Sequence, residues 1–280
     1  MGTVFTLEDV ERRRVPSTED LQRAVELLKS RLRANPGIIA ALLYGSVVRG
    51  DSDRRSDIDC VVVFDVNHTP RVHAALQEII RGCAKMHIKT DFVVTDDLSV
   101  ERSAHRIGPG FTNHLQNSAR DGGTIKGEVR SYLKPTISVE GEAFSYVQNK
   151  LRYLEELDAS YSSSSNVQKA EYLKKVLAAP KHVALKVAAM RGPLANDSKR
   201  AVIAHYTELA PPGLLKQFTE LVALDEWYST ELEAQMQKFD KARYGACLRR
   251  IEAAIQNTIA FVRANALLID SLITEGQITA

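Results

Sequence analysis

Two stretches decide the reading of this chain: Ile38-Ile39-Ala40-Ala41-Leu42-Leu43-Tyr44-Gly45-Ser46 and, after ten intervening residues, Asp57-Ile58-Asp59-Cys60-Val61-Val62-Val63-Phe64. The first is a short, unbroken apolar run, which predicts a buried strand ending abruptly at Gly45. Residues 47–56 are polar and turn-like, and the valine-rich 57–64 predicts a second strand. Working outward, 17–34 reads as an amphipathic helix. Ser17 is its cap with Asp20 three residues on, Leu21, Val25, Leu28 and Leu32 form one face, and Asn35-Pro36-Gly37 stops it. Downstream, the pattern predicts a helix over 70–84, a strand over 87–95, a helix near 110–120 ending at Asp121-Gly122-Gly123, and a short strand over 124–127. Strands mixed with helices in this order predict an α+β domain with a mixed sheet.

From about residue 140 the period changes. Apolar residues recur at three- and four-residue steps through 143–159, 167–190, 197–209, 214–239 and 241–272, which predicts an all-α bundle of about five helices. The expected domains are 1–135 and 136–280, and 280 residues suffice for both. With 44% hydrophobic and 26% charged residues the chain should bury a real core rather than stay disordered. The net charge is only +2, and charges nearly balance on either side of residue 135. That disfavours a protein that grips long nucleic acid by its phosphates. Cys60 and Cys83 lie in apolar segments and Cys247 is remote, so a reducing, cytoplasmic setting fits. Met1–Val15 has no apolar leader pattern and no run approaches 18 apolar residues, so neither a signal peptide nor a membrane span is expected.

Asp57 and Asp59, one residue apart on a strand, project from one face. Two carboxylates so close repel unless a cation sits between them, and hard oxygen ligands suit Mg²⁺. Gly45-Ser46 at the strand tip can bring backbone N–H groups and a hydroxyl against phosphate oxygens. Asp91 is a third carboxylate in an apolar strand, Thr90-Asp91-Phe92-Val93-Val94, where a charge is ordinarily costly. If the two strands are neighbours the three acids converge, and the use of such a cluster is two-metal phosphoryl chemistry.

This composite resembles the DNA polymerase beta-type nucleotidyltransferase superfamily, whose signature is Gly-Ser, ten residues, Asp-x-Asp, and a further acid on a later strand. Arg49-Gly50 and Ser56 are similar to the minimal nucleotidyltransferases, as is His114 to Lys126 with its Gly122-Gly123 turn. The likeness covers about residues 17–135. It implies nucleotide contacts at Gly45, Ser46, Arg49 and Ser56, and metal-binding and catalytic roles for Asp57, Asp59 and Asp91. It also implies two Mg²⁺ ions and an NTP, with ATP the expected donor. The helical half is similar in architecture alone to the second domain of aminoglycoside nucleotidyltransferases. There a glutamate acts as base in some enzymes, and Glu142, Glu155 and Glu171 are the candidates here.

The implied reaction moves an NMP to a hydroxyl of an acceptor. Charge balance favours a small molecule such as an aminoglycoside-like antibiotic; transfer to RNA or protein is the alternative, and a catalytically inactive, regulatory nucleotide-binding protein is a third reading. Whether two chains form a homodimer stays open. Other residues have plainer roles: Asp96 and Asp97 read as turn formers, Asp51 and Asp53 as loop residues, Arg49 as a phosphate or loop contact, and Tyr44 and Trp227 as packing. Arg200 and His205 share the Arg-x₄-His spacing of HEPN-type ribonucleases, a pairing that any charged helix can produce. The other histidines, His114 and His182 among them, show no metal spacing.

Overall fold

Capping boxes and apolar spacing explain how the chain is divided. The computed structural model describes residues 2–101, 107–194 and 199–274. Two compact units form, one of residues 1–2 and 15–137, the other of residues 3–14 and 138–280. The short N-terminal segment with α1 (Leu7–Glu11) therefore groups with the helical unit, and the second boundary falls at 137/138 rather than 135/136.

In the first unit α2 (Thr18–Ala34) starts as expected: Ser17 Oγ accepts from the Asp20 N–H and the Asp20 carboxylate accepts from the Ser17 N–H at 2.8 Å. Then come β1 (Ile38–Tyr44), the short α3 (Ser46–Arg49), β2 (Ile58–Phe64), α4 (Thr69–Ala84), β3 (Thr90–Asp96), α5 (Asp97–Glu101), α6 (Pro109–Arg120) and β4 (Thr124–Lys126). The sheet order is β3-β2-β1-β4. β1 runs antiparallel to β2 and β4, whereas β2 and β3 are parallel, so the sheet is mixed. One face (Ile38, Ala41, Leu43, Ile58, Cys60, Val62) packs under α2 and α4. The other (Ala40, Leu42, Val61, Val63) packs with Leu115 of α6 and with Val129 and Leu133.

Sequence and structure differ at a few places. β3 begins at Thr90 instead of residue 87, because His87 takes φ +58° in a turn and the Ile88 N–H bonds back to the Cys83 carbonyl at 3.0 Å. The turn-like 47–56 holds the single helical turn α3, and α1 and α5 were too short to leave a periodic signal. Asp57 stands one residue ahead of β2.

The second unit contains α7 (Val139–Ser160), α8 (Asn166–Ala189), α9 (Lys199–Leu209), α10 (Pro212–Gln237), α11 (Lys241–Glu252) and α12 (Ile255–Thr274). The expected helix 241–272 is thus two, split at 253–254, and the bundle has six helices among the described residues. No glycine or proline marks that break, so apolar periodicity runs straight through it. Residues 197 and 198 of the expected 197–209 helix lie outside the described residues. Among the described residues no helix is long and apolar enough to cross a membrane.

The N-terminal segment is tied down by a closed hydrogen-bond ring. The Phe5 N–H donates to Tyr228 Oη (3.0 Å), Tyr244 Oη donates to the Phe5 carbonyl (2.9 Å), and the two hydroxyls lie 3.1 Å apart. Each hydroxyl has one proton; Tyr244 spends its own on Phe5, so Tyr228 donates to Tyr244. Both tyrosines are fully buried, so neither loss can be made good by solvent. Tyr228→Phe and Tyr244→Phe are each expected to destabilise by about 1–3 kcal/mol. The double variant should cost less than the sum, since both act in one ring. Denaturant melts of the three variants check this.

Candidate active site

Gly45 is where β1 gives way to α3. It has φ +83° and ψ −156°, a region open essentially to glycine alone. A Cβ placed there would lie 2.7 Å from Asp59 Oδ2. The missing side chain therefore lets a carboxylate lodge directly beneath the strand tip. The N–H groups of Val48 and Arg49 both return to the Gly45 carbonyl at 3.2 Å, and Gly50 at φ +75° closes the turn. The Ser46 hydroxyl is buried with no hydrogen-bond partner among the described residues. An orphaned buried hydroxyl is a costly feature that a polar ligand would satisfy.

Sheet register brings the acids together. Tyr44 pairs with Asp59 across β1–β2, and Asp59 pairs with Asp91 across β2–β3. Paired residues in neighbouring strands point to the same face, so Asp59 and Asp91 share the α6 side of the sheet. Asp57 is 3% exposed, Asp59 is half-buried and Asp91 stands exposed at the rim. Burial, then the negative charge of Asp57, then that of Asp91, push the Asp59 carboxyl up to about 6, with His114 opposing. Asp59 therefore lies in the field of both other acids. Among the described residues, however, no three acid, histidine or cysteine side chains close around a single point in metal-holding geometry. The carboxylate donor type suits a hard divalent cation. Asp57, Asp59 and Asp91 are the residues that would hold it.

The remaining sequence-expected residues serve the loop. Arg49 Nε lies 3.3 Å from Asp51 Oδ2, an exposed contact inside the turn. Ser56 Oγ accepts from the Asp53 N–H (2.9 Å) and bonds Asp53 Oδ1 (3.3 Å), so this hydroxyl is engaged in closing residues 53–56. Arg55 is nearly buried and reaches Asp53 Oδ2 at 3.1 Å, while Arg54 donates to the Pro16 carbonyl. Asp96 and Asp97 act in turns: Asp96 accepts from the N–H and hydroxyl of Ser99, and Asp97 from the Val66 N–H. Of the glutamates, Glu142 pairs with Lys186 and Glu155 with Arg263; Glu171 has contacts of its own. Arg200's side chain lies outside the described residues, and with it the Arg200–His205 pairing.

His114 is a residue that sequence reasoning missed. From α6 it meets the Tyr44 ring edge-on, 5.4 Å between centroids, and Phe111 meets the same ring at 5.7 Å. It is the imidazole whose field reaches Asp59. Metal-ligand spacing was the wrong test for it, and no local pattern signals its contact with Tyr44, some 70 residues away. The Tyr44 hydroxyl is pushed well above the usual phenol range by burial, then by Asp59 and Asp91, so it stays protonated beside the acids. A separate groove of about 550 Å³ is lined by Leu21, Val25, Lys29, Val47, Val48 and Gly123, among others. Leu21, Val25, Val47 and Val48 belong to the α2 side of the sheet, so this groove is not the carboxylate site.

Residues 26–106 match a family model described as polymerase beta, nucleotidyltransferase. The matched segment runs from within α2 past α5 and contains Gly45, Ser46, Asp57, Asp59 and Asp91. No curated protein matches the chain. The first unit thus carries a nucleotidyltransferase domain of the polymerase beta-type superfamily, followed by an all-α region.

Proposed function

We propose that this chain is a Mg²⁺-dependent enzyme that transfers a nucleoside monophosphate from an NTP, ATP foremost, to a hydroxyl of a small-molecule acceptor. The family match supports nucleotidyl transfer in general. The observation that carries the finer reading is the Asp59 carboxylate seated under Gly45, the residue that precedes the orphaned Ser46 hydroxyl, and within the field of Asp57 and Asp91. A divalent cation bound by the three acids would neutralise phosphate charge and lower the acceptor hydroxyl's pKa. In the proposed step the acceptor oxygen attacks the α-phosphorus and the bridging P–O bond to the β-phosphate breaks. Pyrophosphate leaves with that electron pair, and the hydroxyl proton passes to Asp91. Ser46 holds a phosphate oxygen through its hydroxyl, and Gly45 lets the backbone approach without a side chain between. Tyr44, Phe111 and His114 wall the site.

Near-neutral charge supports a small acceptor over RNA. The test incubates the protein with α-labelled NTPs and Mg²⁺ in the presence of an antibiotic and sugar panel, tRNA, or total protein. Label is expected on a small molecule, with transfer falling by at least about 10³-fold in Asp57→Ala/Asp59→Ala, the scale of losing a transition-state electrostatic contact. Label on RNA or protein would overturn the acceptor assignment. Equal turnover in the double variant would remove the acids from the mechanism.

A further inference from the structure

The turn that delivers Asp57 to the acidic site is held from both ends. Asp53 is its hub. The Asp53 carboxylate accepts from the Arg55 N–H (2.9 Å), from Arg55 Nε (3.1 Å) and from the Ser56 hydroxyl (3.3 Å). The Asp53 N–H donates to Ser56 Oγ (2.9 Å), and the Asp53 carbonyl accepts from the Ser56 N–H (3.0 Å). Beyond Asp57, the Ile58 N–H donates to the Lys89 carbonyl at 3.0 Å, where the β2–β3 ladder begins. Asp57 is thus the one residue between a closed turn and a sheet. Arg55 stands out in this turn: it is only 6% exposed, whereas arginine in a loop ordinarily keeps its charged head in water. Gly2 covers it. A Cβ built on Gly2 would lie 2.9 Å from Arg55 Cζ and Nη2 and 3.0 Å from Nε. Near-equal distances of that size to three atoms of one plane put the point over the guanidinium face, not at its edge. The missing side chain is what lets the backbone come so close. An isolated antiparallel bridge joins the same Gly2 to Ser56. Gly2 therefore rests on both residues that immediately precede Asp57.

We propose that Arg55 is a positioning residue for the acidic site: clamped between Asp53 and Gly2, it fixes the backbone that aims the Asp57 carboxylate at the cation. The proposal rests on the reading of Asp57 as a metal ligand and adds what holds that ligand in place. Arginine suits the task because its planar head gives an edge to the Asp53 carboxylate and a face to Gly2 at the same time. Lysine could pair with the acid but has no face to offer. Arg55 touches neither nucleotide nor acceptor in this account, so its loss should act on the metal site through Asp57. Losing an outer contact of this kind costs about 10–100-fold in metal affinity while every ligand remains.

The test measures Mn²⁺ affinity of the full chain, with free manganese read by electron paramagnetic resonance, alongside Arg55→Met, Arg55→Lys and Gly2→Ala. Arg55→Met should weaken binding by at least about tenfold, and Arg55→Lys by less, since the ion pair with Asp53 survives. Gly2→Ala, which drives a methyl group against the guanidinium, should weaken it in the same direction with no charge altered. Amide hydrogen exchange of the metal-free chain is the second readout. Residues 53–58 should exchange faster in Arg55→Met, while α2 and β1 keep wild-type protection. A merely structural role would lower protection across the whole first unit and leave the manganese affinity of folded protein untouched. Either of those results would overturn the proposal. Should Arg55→Met fail to fold, Gly2→Ala decides by the same two readouts. Wild-type protein that binds no manganese would overturn the reading of the acids, and the positioning role with it; wild-type binding with unchanged affinity in the variants would overturn the positioning role alone.

Discussion

Asp59→Asn is expected to stabilise the metal-free protein at pH 7.5 while removing transfer activity. In the folded chain Asp59 titrates at about 6, above the ordinary value of 3.8, because burial and the charges of Asp57 and Asp91 disfavour its ionised form. A raised folded pKa means that the native state holds this proton more tightly than the unfolded chain does. The stability gained from that proton is fully present below the unfolded value, drains away between about pH 4 and 6, and is gone at neutrality. A shift of this size corresponds to about 3 kcal/mol at pH 7. Asparagine keeps the shape and removes the charge, so the first unit should melt on the order of 10 °C higher at pH 7.5, and the gap should close at pH 4. Calorimetric melts at both pH values measure it. A variant less stable than wild type at pH 7.5 would mean that the native structure stabilises the ionised carboxylate.

Gly45→Ala should damage both the fold and the chemistry. Alanine at φ +83° and ψ −156° carries a conformational cost of about 1–3 kcal/mol. Its methyl would fall 2.7 Å from Asp59 Oδ2, so the carboxylate must move. A displacement near 1 Å at a reacting centre costs about 10²-fold in rate, and that fall in kcat is the expected result. The two contributions separate by a cycle. In Gly45→Ala/Asp59→Ala the clash is gone and only backbone strain remains, so the double variant should be more stable than the single effects summed. Strict additivity would show that the two positions do not touch.

Much of the first unit was legible because its signals are local. Ser17 and Asp20 announce their helix, the runs at Ile38–Tyr44 and Ile58–Phe64 announce buried strands, and the ten-residue gap from Ser46 to Asp57 is a spacing that needs no tertiary knowledge. What the chain did not announce depends on contacts between distant segments. Phe5 joins the helical unit through Tyr228 and Tyr244, more than 200 residues away, and no local pattern encodes that. His114 matters because α6 lays it on Tyr44. Nor could spacing tell that Ser56 closes its own loop with Asp53, or that Glu142 is held by Lys186 and Glu155 by Arg263. The break between α11 and α12 falls in an alanine pair with no punctuation, where periodicity is blind.

Manganese is the sharpest probe of the acidic site, since it takes the same oxygen ligands as Mg²⁺ and its free form is counted by electron paramagnetic resonance. The chain is titrated with Mn²⁺ in the presence of a non-hydrolysable NTP, with Asp57→Asn/Asp59→Asn alongside. Two ions bound per wild-type chain, both lost in the variant, are the expected result. No bound manganese, or equal stoichiometry in the two proteins, would contradict a cation site at Asp57, Asp59 and Asp91.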